Sequence, residues 1–146
     1  MKMRKADFQD VENVYLLFID KTVRAMAKSS DVVSFKDHKT WFNSRIPQDD
    51  FFILEEENGA FMGQIRIDEK NNENVMSIEI VGRYRNKGYA TKAVKNCLQL
   101  TNKNNIIAYI KNNNIPSIKL FQKAGFVRLS KWGGGGYPFR QDFDKY

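Results

Sequence analysis

Residues 82–90 decide how this chain folds, and they read Gly82-Arg83-Tyr84-Arg85-Asn86-Lys87-Gly88-Tyr89-Ala90. They follow a segment at 75–81 in which β-branched residues dominate, which predicts a strand. After Gly88 a helical spacing predicts an amphipathic helix of about four turns, through Ala90, Ala93, Val94, Cys97, Leu98 and Thr101. The stretch is therefore a strand, a basic loop and a helix in succession.

This junction has the properties of an anion-binding site. The first N–H groups of a helix lack partners within the helix and lie at the positive end of its dipole. Arg83, Arg85 and Lys87 add three cations there, and Gly88 allows a ligand to approach the backbone closely. The G-x-G-x-x-G and G-x-x-x-x-G-K-[ST] phosphate motifs are absent. A basic turn that only caps a helix is the alternative.

The segments on either side of the junction predict an α/β fold. Before it we expect a helix after Asp7 and two antiparallel strands joined at Asn58-Gly59. Between them, at 22–45, we expect a helical turn at 23–27, a break at 29–31 and a further helix at 37–45. After it we expect a strand at 106–110, parallel to the strand at 75–81, and then a helix opened by Pro116 and closed by Gly125. Strands at 126–132 and 137–143 surround the glycines at 133–136. The expected fold is a single domain over 1–146, a mixed, mostly antiparallel sheet of about six or seven strands flanked by about four helices.

Composition excludes several classes of protein. The chain has 146 residues, 42% of them hydrophobic, which suits one globular domain. No apolar run approaches the roughly 20 residues of a membrane helix, and polar residues follow the basic start where a secretory peptide would be apolar. One cysteine and one histidine argue against a disulfide framework and a metal site, and favour the cytoplasm. The net charge of +7 is diluted by acidic clusters, so neither nucleic acid nor membrane is an expected partner, while a homodimer stays open.

Two motifs resemble those of the GCN5-related N-acetyltransferases. The first is Arg85-x-x-Gly88-x-Ala90 after the β-branched strand, which matches R/Q-x-x-G-x-G/A. The second resembles N-x-x-A-x-x-L-Y-x-K-x-G-F, and here it reads Asn114-x-x-Ser117-Ile118-x-Leu120-Phe121-x-Lys123-x-Gly125-Phe126. Both motifs, in this order and topology, identify the chain as a member of that family.

The resemblance implies a splayed central strand and acetyl-CoA as co-substrate, with no metal. It assigns the pantetheine arm to the backbone of Ile80 and Val81, one of whose N–H groups would stabilise the oxyanion of the tetrahedral intermediate. It assigns the pyrophosphate to Arg85, Asn86, Lys87, Gly88, Tyr89, Ala90 and Thr91. The rest of the coenzyme would lie against Asn114, Ser117, Phe121 and Lys123.

The proton transfers are less well defined by the sequence. Many family members protonate the leaving thiolate with a Tyr in the second motif, where this chain has Phe121. Tyr89, Tyr109 or Tyr137 could serve instead, or the thiolate leaves unprotonated. The candidate bases are Glu79 and His38, whose ordinary pKa is near neutrality. A surface or packing role is the alternative for both, and Cys97 on the apolar stripe is expected to be a core thiol.

A narrower resemblance concerns the acceptor. His38-x-x-Trp41-Phe42, Gly63-Gln64-Ile65-Arg66-Ile67-Asp68 and Ser77-Ile78-x-Ile80 look like the branch that acetylates amino groups of nucleotide-linked sugars, as in pseudaminic acid biosynthesis. That likeness implies an acceptor site at His38, Trp41, Phe42 and Arg66, with Arg24 and Arg45 as further cations for an anionic substrate. These residues could also be ordinary core. A protein or peptide amine acetyltransferase and a silent acetyl-CoA-binding module are the competing functions.

Overall fold

Strands alternate with helices along most of the chain. The computed structural model describes residues 1–133 and 135–141. The strands are β1 (Lys2–Lys5), β2 (Phe51–Glu55), β3 (Phe61–Lys70), β4 (Glu73–Ile80), β5 (Ile106–Lys111), β6 (Phe126–Arg128) and β7 (Gly136–Gln141). The α-helices are α1 (Val11–Phe18), α2 (Lys21–Met26), α3 (Phe35–Arg45), α4 (Tyr89–Leu100) and α5 (Ile115–Lys123). Short 3₁₀ turns span Phe8–Asp10 and Gly82–Tyr84.

The strands form one seven-stranded sheet in the order β1-β2-β3-β4-β5-β7-β6. Every neighbouring pair is antiparallel except β4 and β5, which run parallel. Their pairing is confined to Asn74 opposite Ile106 and Val75 opposite Ile107. Beyond Val75 the two strands part, and this confirms the expected mixed sheet with its splayed central strand.

Alternation along the strands sends side chains into two cores, one on each face of the sheet. On one face Ile65, Ile67 and Met76 belong to the cluster that includes Ala93 and Cys97 of α4. On the other face a smaller cluster joins the sheet to α1 and α3, through Phe51, Ile53, Val11, Val14 and Phe42. The polar alternate positions of β3 and β4 therefore lie on the α1–α3 face.

The sequence signals for turns are confirmed. Gly59 has φ +91° in the turn between β2 and β3, and Asn58 Oδ1 accepts the Ala60 N–H at 3.0 Å. Gly88 precedes α4 with φ +85°, and Gly125 follows α5 with φ +93°. These left-handed conformations favour glycine because a Cβ would be strained there.

Two details of the predicted elements are wrong. The strand β1 was not predicted; it pairs along the sheet edge and is held by Arg4, with Nη2 2.8 Å from Asp10 and Nε 3.2 Å from Glu55. The segment at 22–45 forms α2 and α3 with a break at 27–34, which confirms the expected helical turn, break and further helix. The strand expected at 126–132 ends at Arg128, and the expected end of the last strand at 142–143 lies outside the described residues.

No helix in the described part of the chain has the length and apolar character needed to cross a membrane.

Candidate active site

The centre of the site is the edge of β4 that faces β5 beyond Val75, where the two strands no longer pair. We call it the parted edge. Val81 donates its N–H to Met62 of β3 at 2.8 Å, and Gly63 lies opposite Ile80 in the register. Because successive residues of an antiparallel strand direct their N–H groups to opposite sides, the Ile80 N–H faces away from β3, toward the gap before β5. The N–H of Val81 is already committed to the sheet, which leaves Ile80 as the candidate oxyanion donor.

The side chain of Arg85 holds the end of β4 in place. Its Nε donates to the Ile80 carbonyl at 2.9 Å, and its Nη1 donates to Thr22 Oγ1 at 2.9 Å. The guanidinium therefore bridges β4 and α2. Two of its nitrogens bond protein atoms, and the expected contact of Arg85 with pyrophosphate stays a prediction.

The backbone after Arg85 is shaped for close approach. Asn86 has φ +61°, and a Cβ built at Gly88 would meet nothing within 4 Å. The start of α4 carries no acidic residue, so its free N–H groups face the open space in front of Gly88 without a competing carboxylate. Lys87 is exposed beside them, while Tyr89, Ala90 and Thr91 are partly buried.

The second motif forms the start and body of α5. Asn114 is its N-cap, and its Oδ1 accepts the Ser117 N–H at 3.3 Å. Lys123 is exposed near the end of the helix. Phe121 is 4% exposed and packs edge-on against Phe126 with ring centroids 5.0 Å apart. Phe121 therefore packs in the core, and its contact with the coenzyme stays a prediction.

His38 lies on the α1–α3 face among aromatic rings. It is 3% exposed, with ring centroids 5.0 Å from Tyr15, 5.5 Å from Phe18 and 5.5 Å from Trp41. Burial, aided by the charge of Arg66, lowers the pKa of His38 to about 4. The imidazole is therefore neutral at pH 7, and the expectation of a histidine that titrates near neutrality is wrong.

Arg66 lies at the centre of a buried polar network on the same face. Its Nε donates to Asp68 Oδ2 at 2.8 Å, its Nη1 donates to Gln64 Oε1 at 3.1 Å, and its Cζ lies 5.0 Å from the Trp41 ring centroid. Arg45 Nε donates to the other oxygen of Asp68 at 2.8 Å. Burial raises the pKa of Asp68, but the two guanidiniums outweigh it and hold that pKa below its usual value.

Two residues expected to bind an acceptor have structural positions instead. Arg45 donates to Asp68 and to the backbone carbonyls of Asp49 and Ile67, so it is a structural cation. Phe42 is 0% exposed within the smaller core and has no surface to offer a substrate. Trp41 keeps a partly exposed ring with Arg66 on its face.

Glu79 projects to the same face as this network. It lies opposite Gln64 in the β3–β4 register, one residue before Ile80, and it is partly exposed. Its charge also acts on Arg24, which is held by the Phe18 carbonyl at 2.5 Å and the Ser29 carbonyl at 3.0 Å. Glu79 is thus the carboxylate beside the parted edge.

Two candidate proton carriers are excluded by their surroundings. Tyr109 donates its O–H to Glu73 at 2.6 Å, and that bond, with burial, raises the pKa of Tyr109 to about 12. Cys97 is buried under α4, and burial raises the pKa of its thiol to about 12. Neither group offers a proton or a nucleophile at neutral pH. In the described part of the chain no cluster of three His, Cys, Asp or Glu side chains could hold a metal ion.

Sequence reasoning did not single out Gln64 or Asp68 for the site. Their signal is a polar stripe at every second position, Gln64, Arg66 and Asp68, which alternates with Gly63, Ile65 and Ile67. Such a stripe in a central strand indicates a polar cluster inside the fold. Which charges meet there depends on α3, which is distant in sequence.

Comparison with known proteins agrees with this geometry. The GNAT acetyltransferase domain model matches residues 1–127. The protein YwnH of Bacillus subtilis (strain 168), named as a candidate phosphinothricin acetyltransferase, is 26% identical over 91% of this chain and 86% of its own length.

Two solved structures share the fold. YncA, an acetyltransferase candidate from Salmonella typhimurium solved with acetyl-CoA, has a TM-score of 0.77 and 18% identity over 96% of this chain and 90% of that chain. The spermidine N-acetyltransferase of Vibrio cholerae, solved with CoA and spermine, has a TM-score of 0.76 and 16% identity over 95% and 92%. With the family model covering most of the chain, this protein belongs to the GNAT family and is an acetyl-CoA-dependent N-acetyltransferase.

Proposed function

We propose that the enzyme acetylates the amino group of a nucleotide-linked sugar in the cytoplasm. The observation that carries the proposal is the pairing of Trp41 with Arg66, whose Cζ lies 5.0 Å from the ring centroid, on the sheet face that also carries Glu79. An indole face packs against the apolar face of a sugar, and a guanidinium donates to its oxygens.

The coenzyme would lie along the parted edge of β4. We assign the Ile80 N–H as the donor to the thioester carbonyl oxygen, where it would stabilise the charge that develops as the amine attacks. The pyrophosphate would meet the first N–H groups of α4 in front of Gly88, with Lys87 and Arg83 supplying positive charge. When bound, acetyl-CoA supplies the activated acetyl group. Asn114, Ser117 and Lys123 belong to the wall formed by α5.

Glu79 is the proposed base. A primary ammonium group must lose a proton before it attacks, and a carboxylate beside the parted edge can accept that proton directly or through one water. His38 is a poor base, because its lowered pKa leaves it with little affinity for a proton at pH 7. We assign His38 to the acceptor wall instead. Phe121 has no hydroxyl and the Tyr109 hydroxyl is bonded to Glu73, so Tyr89, Tyr137 and water are the remaining proton sources for the coenzyme thiolate.

A peptide acceptor is the competing proposal. A basic peptide needs acidic walls, whereas α2 and α3 carry several cations, Arg24 among them. A silent coenzyme-binding module is the other alternative, since the usual Tyr is replaced by Phe121.

An acceptor panel tests these functions. Thiol release from acetyl-CoA is measured with a UDP-linked amino sugar, phosphinothricin, spermidine and a basic peptide. We expect the highest kcat/KM with the amino sugar nucleotide, and a loss of about ten- to a hundredfold in Trp41→Ala. A preference for phosphinothricin, spermidine or the peptide would overturn the acceptor assignment, and binding of acetyl-CoA without any turnover would indicate the silent module.

A further inference from the structure

The carboxamide of Gln64 has one satisfied end and one unsatisfied end. The residue is 0% exposed, Arg66 Nη1 donates to its Oε1 at 3.1 Å, and its Nε2 has no hydrogen-bond partner in the described part of the chain. A guanidinium can only donate, so it must face the oxygen of the amide. Arg66 therefore fixes the orientation of the amide and directs Nε2 away from itself.

A second orphaned nitrogen belongs to the same cluster. His38 Nε2 is buried and, among the residues described, has no partner either. The His38 ring lies 5.5 Å from the Trp41 ring, and Arg66, which holds Gln64, stacks on that same indole. Buried polar atoms are nearly always paired in folded proteins, so two orphans around one Trp–Arg pair require an explanation.

The missing partner has the properties of an oxygen atom. Arg45 and Arg66 share the single carboxylate of Asp68, so this buried group holds two cations and one anion. The Gln64 NH₂ adds further donors. What the Gln64 NH₂ lacks is a hydrogen-bond acceptor.

Gln64 is also close to the proposed reaction centre. It lies opposite Glu79 in the register, next to the Gly63–Ile80 pair. Side chains of directly opposed residues stand about 5 Å apart at Cβ. An oxygen bonded to Gln64 would therefore lie within a few bonds of an amine that Glu79 deprotonates.

We infer that Gln64 is a specificity-determining residue that donates a hydrogen bond from Nε2 to a hydroxyl oxygen of the acceptor, on a carbon near the attacking amine. This inference rests on the proposed acceptor face, and it deepens that proposal from an amine to an amino alcohol of the kind found in an amino sugar. The neutral imidazole of His38 can accept the proton of the same hydroxyl or of a neighbouring one.

The segment 27–34 lies along the same α1–α3 face. This segment contains no helix or strand, and every residue from 28 to 34 is exposed. It crosses the α1–α3 face between Tyr15, whose O–H donates to the Val33 carbonyl at 3.0 Å, and Tyr109, whose ring lies 3.9 Å from Lys28 Nζ. Arg24 Nη1 also donates to the Ser29 carbonyl at 3.0 Å and to the Asp31 carbonyl at 3.5 Å. A substrate that enters here would replace side-chain contacts of this kind.

The test compares two amines that differ by one hydroxyl, trans-2-aminocyclohexanol and cyclohexylamine. We expect the wild-type enzyme to favour the amino alcohol about tenfold or more in kcat/KM, the usual effect of one hydrogen bond to a buried donor. In Gln64→Glu and Gln64→Met that ratio should fall to about one, with the KM for acetyl-CoA unchanged. The control Gln99→Glu makes the same charge change on the exposed side of α4 and should keep the wild-type ratio.

Thermal stability distinguishes the proposed binding role of Gln64 from a purely structural role. A carboxylate at position 64 would accept from Arg66, leave no orphaned N–H and balance the extra cation, so apo Gln64→Glu should melt at or above the wild-type temperature. A lower melting temperature with an unchanged substrate ratio would show that Gln64 is scaffold and overturn the inference. A wild-type ratio near one, or no turnover of either amine, would also contradict it. If UDP-linked amino sugars are not acetylated but the amino alcohol is still preferred, the nucleotide-sugar proposal is refuted. The assignment of Gln64 as the donor to an acceptor hydroxyl then still holds.

Discussion

His38 illustrates how burial changes the role of a residue. Its position beside Trp41 and Phe42 is visible in the sequence, and so is its ordinary pKa near neutrality. The depth at which it lies is not visible, because the rings of Tyr15 and Phe18 that enclose it come from another helix. A neutral histidine with an orphaned Nε2 fits hydrogen bonding better than proton transfer.

His38 should make the protein sensitive to mild acid. The pKa of His38 is about 4 in the folded protein, below the ordinary value of 6.5. Between these two pH values the unfolded chain binds a proton at His38 and the folded protein does not. Stability is then unaffected above pH 6.5 and falls as the pH drops from 6.5 toward 4. We expect wild-type melting temperatures to decline through this window more steeply than those of His38→Leu. Parallel curves for the two proteins would show that the histidine titrates normally.

Gln64 and Asp68, and the bonds that both make with Arg66, show which part of the site could not be predicted. The coenzyme loop is local, so its glycine, its cations and the following helix are contiguous and readable in one stretch of sequence. The acceptor face is assembled from β3, β4, α1 and α3, and its charges are paired by contacts between distant segments such as Arg45 with Asp68. Spacing along the chain does not report such pairings.

At the scale of elements, the two edges of β4 have different roles. One edge pairs with β3 along its length, and the other pairs with β5 only at Asn74 and Val75. The sequence predicted both neighbours, because a strand-helix-strand unit favours a parallel partner. Secondary structure is most readable where periodicity is long, as in α4, and least readable at the short polar edge strand β1.

Replacing single backbone N–H groups of this segment separates its two roles. An α-hydroxy acid at position 80, which exchanges the N–H for an oxygen, should lower kcat by about a hundred- to a thousandfold, because an oxyanion donor is lost. It should leave stability nearly unchanged, since that N–H faces the gap. The same change at position 81 removes the bond to Met62 and should cost about 1 kcal/mol of stability with kcat retained. Urea unfolding and steady-state kinetics measure the two effects, and a kcat loss at 81 without one at 80 would reverse the assignment.

At the scale of the whole molecule, Arg45 fastens α3 to the sheet. Its guanidinium, 7% exposed, bonds Asp68 and the carbonyls that surround the start of β2 and the end of β3. Loss of one partner from a buried pair leaves a charge and several carbonyls unsatisfied.

Arg45→Met should therefore reduce the free energy of unfolding by about 3 kcal/mol. The matched control is Lys5→Met, which removes an ion pair with Asp49 whose side chains are 70% and 81% exposed and should change stability by less than about 1 kcal/mol. Urea titration of both variants makes the comparison. Equal effects would mean that the buried network does not hold the acceptor face together.

The central claim is that acetyl-CoA binds where the backbone opens at Gly88, and a thermal-shift titration with two matched glycine variants tests it most directly. Gly59 and Gly88 have φ of +91° and +85°, and a Cβ at either would meet nothing within 4 Å, so Gly59→Val and Gly88→Val carry the same backbone strain. Saturating acetyl-CoA, at about 100 times its Kd, should stabilise wild type and Gly59→Val by about 3 kcal/mol, seen as a rise of several degrees in melting temperature. Gly88→Val, still folded, should show no rise, because its side chain occupies the space in front of the α4 N-terminus. A full rise in Gly88→Val, or none in the wild type, would contradict the account.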